Sequence, residues 1–220
     1  MEKLYYLPIT KSIDLLSFNK FLKMISIEKQ EKINRFYSDI DKKLSIYSEL
    51  LIRIIVCQIY EVKNKDIVFD REKYGKPCLS GYSDFHFSIS HTRNAIVVAI
   101  SDNPIGVDIE RIKEIKIGIV KRFFTECERA YINEDKLGSN KRFYEIWTKK
   151  EAYVKYLGLG LSVPLNSFDV LDSKFSDRLF NFEKSEYIIS IYSVQCQSKI
   201  KVIELNETYI KEMAFLLLQS

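Results

Sequence analysis

The sequence predicts an α+β fold built as a pseudo-twofold pair of similar halves, with its site at the seam. Three observations lead there. The apolar periodicity runs helix, helix, strands twice along the 220 residues. The two runs meet at Ser101-Asp102-Asn103-Pro104, a turn-forming stretch. Just beyond it, Ile105-Gly106-Val107-Asp108-Ile109-Glu110 alternates in the period of a half-buried strand. The halves divide as residues 1–102 and 103–220, related by architecture, since no short sequence repeat is present.

Residues 4–9 read as a short strand that Pro8, lacking an N–H, confines to a sheet edge or a strand end. Ser26 caps a helix through about Tyr37, with Glu28 in its first turn. On it Lys29 and Lys32 share one face, while Ile33, Phe36 and Tyr37 make the buried side. Asp39 or Asp41 opens a longer helix reaching about Tyr60, on which Leu44, Tyr47, Leu51, Ile54 and Ile55 recur at helical spacing. Residues 67–69 form a brief strand, and Tyr74-Gly75-Lys76-Pro77 a turn. Residues 85–91, 94–100 and 105–110 follow as three strands whose short connections suit antiparallel neighbours. In the second half, a helix from Ile117 to about Ile132 precedes one that Asn140 caps and Gly158 and Gly160 end. Strands near residues 168–171, 187–194 and 199–205 and a last apolar segment complete the chain.

Hydrophobic residues make up 46% of the chain and charged ones 29%, and Gly and Pro are scarce, a composition that argues against disorder. A net charge of +4 suits phosphates or an acidic partner, and the absence of a clustered basic stripe points away from nucleic acid. Cys57, Cys78, Cys127 and Cys196 are widely spaced with no C-x-x-C pair, so neither a zinc site nor a disulfide framework is implied. Met1-Glu2-Lys3-Leu4 lacks a signal-peptide layout and no apolar run reaches membrane-spanning length, so the expected location is cytoplasmic.

Asp108 and Glu110 fall on one face of their strand, about 6–7 Å apart along the backbone. Such a pair offers hard oxygen ligands to a divalent cation but too few to close its shell. An isolated D-x-E is more often a solvated strand end, so the chemistry depends on what joins it. Glu151 and Lys155 stand one helical turn apart. They read either as a solvated ion pair or, with Trp147 one turn earlier, as a face turned inward. His91 ends its strand among Ser90, Thr92 and Arg93, a set of phosphate donors, although a lone His is more often structural. Lys29, Lys32, Lys42, Lys43 and Lys76 add cations which, opposite carboxylates holding a metal, would cradle a pyrophosphate.

Five stretches stand in one order: Tyr74-Gly75-Lys76-Pro77, Phe87-Ser88-Ile89-Ser90-His91, Gly106-Val107-Asp108-Ile109-Glu110, Arg122-Phe123-Phe124 with Glu128, and Trp147-Thr148-Lys149-Lys150-Glu151 with Lys155. In that order and spacing the chain resembles the larger, surfactin-synthetase-activating type of 4′-phosphopantetheinyl transferase, over about residues 26–168. The resemblance implies transfer of the phosphopantetheine arm of coenzyme A to a serine of an apo acyl or peptidyl carrier protein, with release of adenosine 3′,5′-bisphosphate. It implies Asp108, Glu110 and Glu151 as ligands of Mg²⁺ (or Mn²⁺), with Glu151 also the general base and Lys155 the contact to the leaving oxygen. It implies Lys29, Lys32 and His91 as phosphate contacts, and Tyr74, Gly75, Lys76 and Pro77 with Ser90 as the lining of the adenine and ribose pocket. Where the family commonly carries an Arg early in the long helix, Leu44 stands here. Either Lys42 or Lys43 substitutes, or coenzyme A is held more weakly. The carrier surface is expected to be basic and apolar, with one of Phe123 and Phe124 core and the other gripping the carrier. A monomer is expected by fold analogy. Fatty-acid, polyketide and nonribosomal-peptide carriers all stay open. The rivals are a Mg²⁺-dependent phosphohydrolase or nuclease on the same carboxylates, and a coenzyme A- or carrier-binding module without catalysis.

Overall fold

The computed structural model describes residues 2–11, 15–115, 117–194 and 200–219. The chain opens with β1 (Lys3–Pro8) and helices α1 (Leu15–Leu22), α2 (Ile27–Asn34) and α3 (Asp39–Tyr60). Strands β2 (Phe69–Arg71), β3 (Pro77–Leu79), β4 (His86–Thr92) and β5 (Ala95–Ser101) follow. The order then repeats from β6 (Ile105–Arg111): α4 (Ile117–Phe123), α5 (Glu126–Asn133), α6 (Ser139–Leu157), β7 (Leu179–Lys184) and β8 (Tyr187–Ser193). Finally, β9 (Lys201–Glu204) and α7 (Glu207–Leu217) return to the first half, β9 pairing in parallel with β1 and α7 packing on α3.

Strand pairing makes the repeat explicit. The antiparallel order β4-β5-β1 in one half matches β7-β8-β6 in the other, each flanked by the long helix of its half. The two sheets stack face to face between α3 and α6 because β5 is apolar on both faces. Ile96, Val98 and Ile100 turn to α3, whereas Ala95, Val97 and Ala99 meet Val107, Ile109, Ile189 and Ile191 of the second sheet. Each fully buried Val or Ile contributes about 1.5–3 kcal/mol, so this inter-sheet layer fixes how the halves sit. Among the described residues no helix is long and apolar enough to cross a membrane.

Several expected elements are corrected. Pro8 is not among them: it closes β1 at a strand end, one of the two places expected, beyond the Lys3–Tyr6 stretch that β9 covers. α1 was not anticipated, α2 ends at Asn34, and Tyr37 is fully exposed, not buried. Residues 64–66 form a 3₁₀ turn, which moves the brief strand to 69–71. β5 and β6 are not neighbours: β1 already occupies the free edge of β5, and the short link carries the chain into the other sheet. The helix expected over 117–132 is broken at Thr125, whose hydroxyl accepts the Glu128 N–H while the Glu128 carboxylate accepts the Thr125 N–H. Asn140 lies inside α6, where its Oδ1 accepts the Ile115 N–H. Residues 168–171 form no strand, and β7, whose Leu179–Lys184 span alternates, was missed. Lys199, in the expected last strand, and Cys196 lie outside the described residues.

Candidate functional site

The seam is made by β4 and β6. Phe87 and Ile89 of β4 pack on the first half's core, so the alternating Ser88 and Ser90 point the other way. The Ser88 hydroxyl accepts the Val107 N–H at 3.0 Å, and the Ser90 hydroxyl donates to Asp108 Oδ1 at 2.7 Å. Gly106 sets the other approach. A Cβ built there would sit 1.9 Å from the Ala152 carbonyl oxygen and 2.5 Å from the Tyr156 nitrogen, so only glycine lets α6 lie this close on β6. That closeness delivers Lys155, whose ammonium donates to Asp108 Oδ1 and to the Ser90 hydroxyl, each at 2.7 Å. Lys155 therefore pairs with Asp108 within the second half, Ser90 joins the pair from across the seam, and the Glu151–Lys155 face turns inward.

Asp108 is 5% exposed, and its Oδ2 has no hydrogen-bond partner among the described residues. Burial, then the charges of Asp108 and, more weakly, Glu151, push the Glu110 carboxyl up to about 7 against the pull of Lys113 and Lys155. Burial and Asp108 likewise raise Glu151, with Lys155 opposing. Near His91, desolvation and then the Lys155 ammonium lower the imidazole, with Asp41 opposing. Among the described residues, no three His, Cys, Asp or Glu side chains stand at metal-ligating spacing. The donor set nonetheless fits a hard divalent cation, with an orphaned buried oxygen beside two carboxylates whose charge is disfavoured by burial and by Asp108.

From Lys155 a cleft runs along Tyr74, Gly75, Pro77 and Ile89, and across Phe87 it continues to Lys29, Lys32 and Arg71. Gly75 adopts φ +90°, the left-handed conformation that this turn requires. Lys76 is less free than the sequence suggests. Its ammonium donates to the Ile105 and Tyr156 carbonyls, each at 3.2 Å, tying the turn to β6 and α6. Lys43 is not brought to the cleft: it is 3% exposed, paired with Glu207 at 2.8 Å and bonded to the Thr10 carbonyl at 2.9 Å. Leu44 is core. Arg71, which the sequence pattern did not single out, does line the cleft; the charge run Asp70-Arg71-Glu72-Lys73 hid it.

Other residues of the same stretches hold the frame. Glu128 and Lys150 are both fully buried and pair at 2.8 Å, while Lys150 also donates to the Leu165 and Phe168 carbonyls. Thr148 bonds Ser190 at 2.6 Å across α6 and β8. Trp147 stacks on Phe143, and Phe123 meets it edge-on, so half-buried Phe123 and core Phe124 both anchor α4 to α6.

A family model described as the 4′-phosphopantetheinyl transferase superfamily matches residues 104–203. A second, described as 4′-phosphopantetheinyl transferase, N-terminal, matches residues 14–103, so the two meet at the turn before β6. The chain is similar to 4′-phosphopantetheinyl transferase Sfp of Bacillus subtilis (strain 168), 37% identical over 76% of this chain and 75% of that one. It is also similar to 4′-phosphopantetheinyl transferase gsp of Aneurinibacillus migulanus, 36% identical over 84% of this chain and 78% of that one. A more distant relative is the L-aminoadipate-semialdehyde dehydrogenase-phosphopantetheinyl transferase of Rattus norvegicus, 28% identical over 68% of this chain and 54% of that one.

Proposed function

The chain belongs to the 4′-phosphopantetheinyl transferase superfamily, and from that premise we propose that it transfers the phosphopantetheine arm of coenzyme A to a serine of an apo carrier protein. The serine oxygen bonds to the phosphorus of the phosphopantetheine as that phosphorus parts from the bridging oxygen, and adenosine 3′,5′-bisphosphate leaves. One observation carries the reading. Buried Asp108 holds Lys155 and Ser90 on one oxygen and, among the described residues, nothing on the other, while burial and its charge raise Glu110 and Glu151.

Glu151 takes the serine proton, its carboxylate lying one helical turn from Lys155. Lys155 donates to the leaving bridging oxygen, where negative charge builds. Lys29 and Lys32, which line the cleft, hold phosphate together with His91, whose imidazole feels both Lys29 and Lys155, and the turn at 74–77 flanks the nucleoside. Asp108, Glu110 and Glu151 would hold Mg²⁺, which when bound neutralises charge on the pyrophosphate. In this reading residues 1–102 supply most of the coenzyme A cleft, and residues 103–220 the carboxylates and the carrier-facing surface.

The test is to incubate the protein with coenzyme A, Mg²⁺ and an apo carrier and to follow the carrier's mass. The expected result is a gain of one phosphopantetheine. An unchanged carrier together with phosphate release from coenzyme A would favour a phosphohydrolase instead.

A further inference from the structure

We propose that Tyr144 is an acceptor-side contact: its phenol hydroxyl hydrogen-bonds the carrier segment that bears the serine, on the far side of the reacting phosphorus from Lys155. The proposal rests on the transferase reading above.

Tyr144, Thr148, Glu151 and Lys155 recur at helical spacing on α6, so one stripe of the helix carries all four. Three contacts set how that stripe runs over the sheet. The Ala152 carbonyl stands over Gly106, Lys155 reaches Asp108 at 2.7 Å, and Thr148 bonds Ser190 at 2.6 Å. Ser190 is the residue of β8 paired with Asp108, so α6 runs antiparallel to β6. Four residues of helix rise about 6 Å and two residues of strand about 6.6 Å. With Ala152 at Gly106 and Thr148 level with Asp108, Tyr144 comes level with Glu110. The electrostatics agree: burial, then the Glu110 charge, raise the Tyr144 hydroxyl above its ordinary value.

The ring is held while the hydroxyl is not. Tyr144 is half-buried, edge-on to Phe143 at 5.0 Å. Its hydroxyl makes no hydrogen bond among the described residues, yet it is not sealed from solvent. The Tyr131 phenol on α5, by contrast, is answered by Glu145 at 3.0 Å. In-line displacement decides which substrate meets Tyr144, because the attacking and leaving oxygens stand on opposite sides of the phosphorus. The donor cleft leaves Lys155 toward Gly158, Gly160 and Tyr74, past the C-terminal end of α6. With Lys155 at the leaving oxygen, the serine oxygen arrives from the other direction along the helix, over Glu151 and past Tyr144. A carrier segment entering there presents hydroxyl, carbonyl and N–H groups, and a phenol both donates and accepts. The adenosine half of the donor lies toward Lys155, out of its reach.

The experiment measures transfer to an apo carrier by the wild type and by Tyr144→Phe, which removes the hydroxyl and keeps the ring. Carrier and coenzyme A are varied separately, with thermal melting as the control for folding. Tyr144→Phe is expected to lower kcat/KM for the carrier about fivefold, the scale of one hydrogen bond. KM for coenzyme A and the affinity for adenosine 3′,5′-bisphosphate are expected to stay at wild-type values. Titration of the apo carrier onto the protein without coenzyme A, weaker in Tyr144→Phe, gives a second readout independent of turnover. A raised KM for coenzyme A alone would move Tyr144 to the pantetheine arm, and a loss shared equally by both substrates would reduce it to a brace for α6; either overturns the proposal. A wild type that modifies no apo carrier would sink the transferase reading itself. A wild type that transfers, beside an equally good Tyr144→Phe, sinks only the role of Tyr144.

Discussion

Asp108 asks different things of its two oxygens. Oδ1 is saturated by Lys155 and Ser90, and Oδ2 is buried without a partner among the described residues. Asp108→Asn keeps the shape and removes the charge. We expect it to cut metal-dependent transfer by about 10²–10³-fold, the scale of losing one electrostatic contact to a transition state, with an unchanged circular dichroism spectrum. Wild-type rates in that variant would mean Asp108 holds no metal. Chelation of divalent metal should stop transfer by the wild type and added Mg²⁺ restore it. Lys150 is a contrasting case on the same helix, since its charge is entirely answered by Glu128, Leu165 and Phe168. Lys150→Met strands a buried carboxylate and should cost about 3–5 kcal/mol in urea unfolding, and Glu128→Gln added to it should recover part of the loss.

At the scale of elements, the site depends on how closely α6 lies on β6. Gly106→Ala places a methyl group against α6 backbone that cannot swing aside, so the helix must move as a body. The expected cost is at least about 1–3 kcal/mol, with a larger loss of transfer than of fold, because Lys155 retreats from Asp108. Equal melting temperatures for the two proteins would refute this account of the packing. α4 and α5 show why helix boundaries are harder to read than helices. Apolar residues keep helical spacing through residues 117–132, yet Thr125 and Glu128 form a reciprocal cap that starts a new helix. The signal was local and present. It lost to the periodicity around it.

For the whole molecule, the C-terminal β9 and α7 close the first half's sheet and helix layer, and Lys43 is part of that closure. Burial alone would raise the Glu207 carboxyl, but the Lys43 ammonium and the Thr10 N–H and hydroxyl outweigh it and hold its pKa below 4.5. A carboxyl lowered in the folded state stabilises the fold above its unfolded value, and the stabilisation is lost as pH falls through the folded one. Stability measured in urea should therefore drop more steeply below about pH 4.5 in the wild type than in Glu207→Gln. Parallel curves would show that the pair contributes nothing to docking α7.

The sequence by itself determined the paired α+β halves, the two long helices, the seam before Ile105, and the placing of Asp108 and Glu110 on one strand face, because periodicity is a local property of the chain. It also held the Gly106, Ser88 and Ser90 positions, whose spacing already alternated. Only the tertiary structure decided that Lys155 answers Asp108 and not Glu151, that Lys43 leaves the cleft for Glu207, and that Arg71 enters it. Those outcomes turn on which distant cations and carboxylates meet. Burial and charge pairing are settled when sheets and helices pack, and a one-dimensional pattern does not carry them.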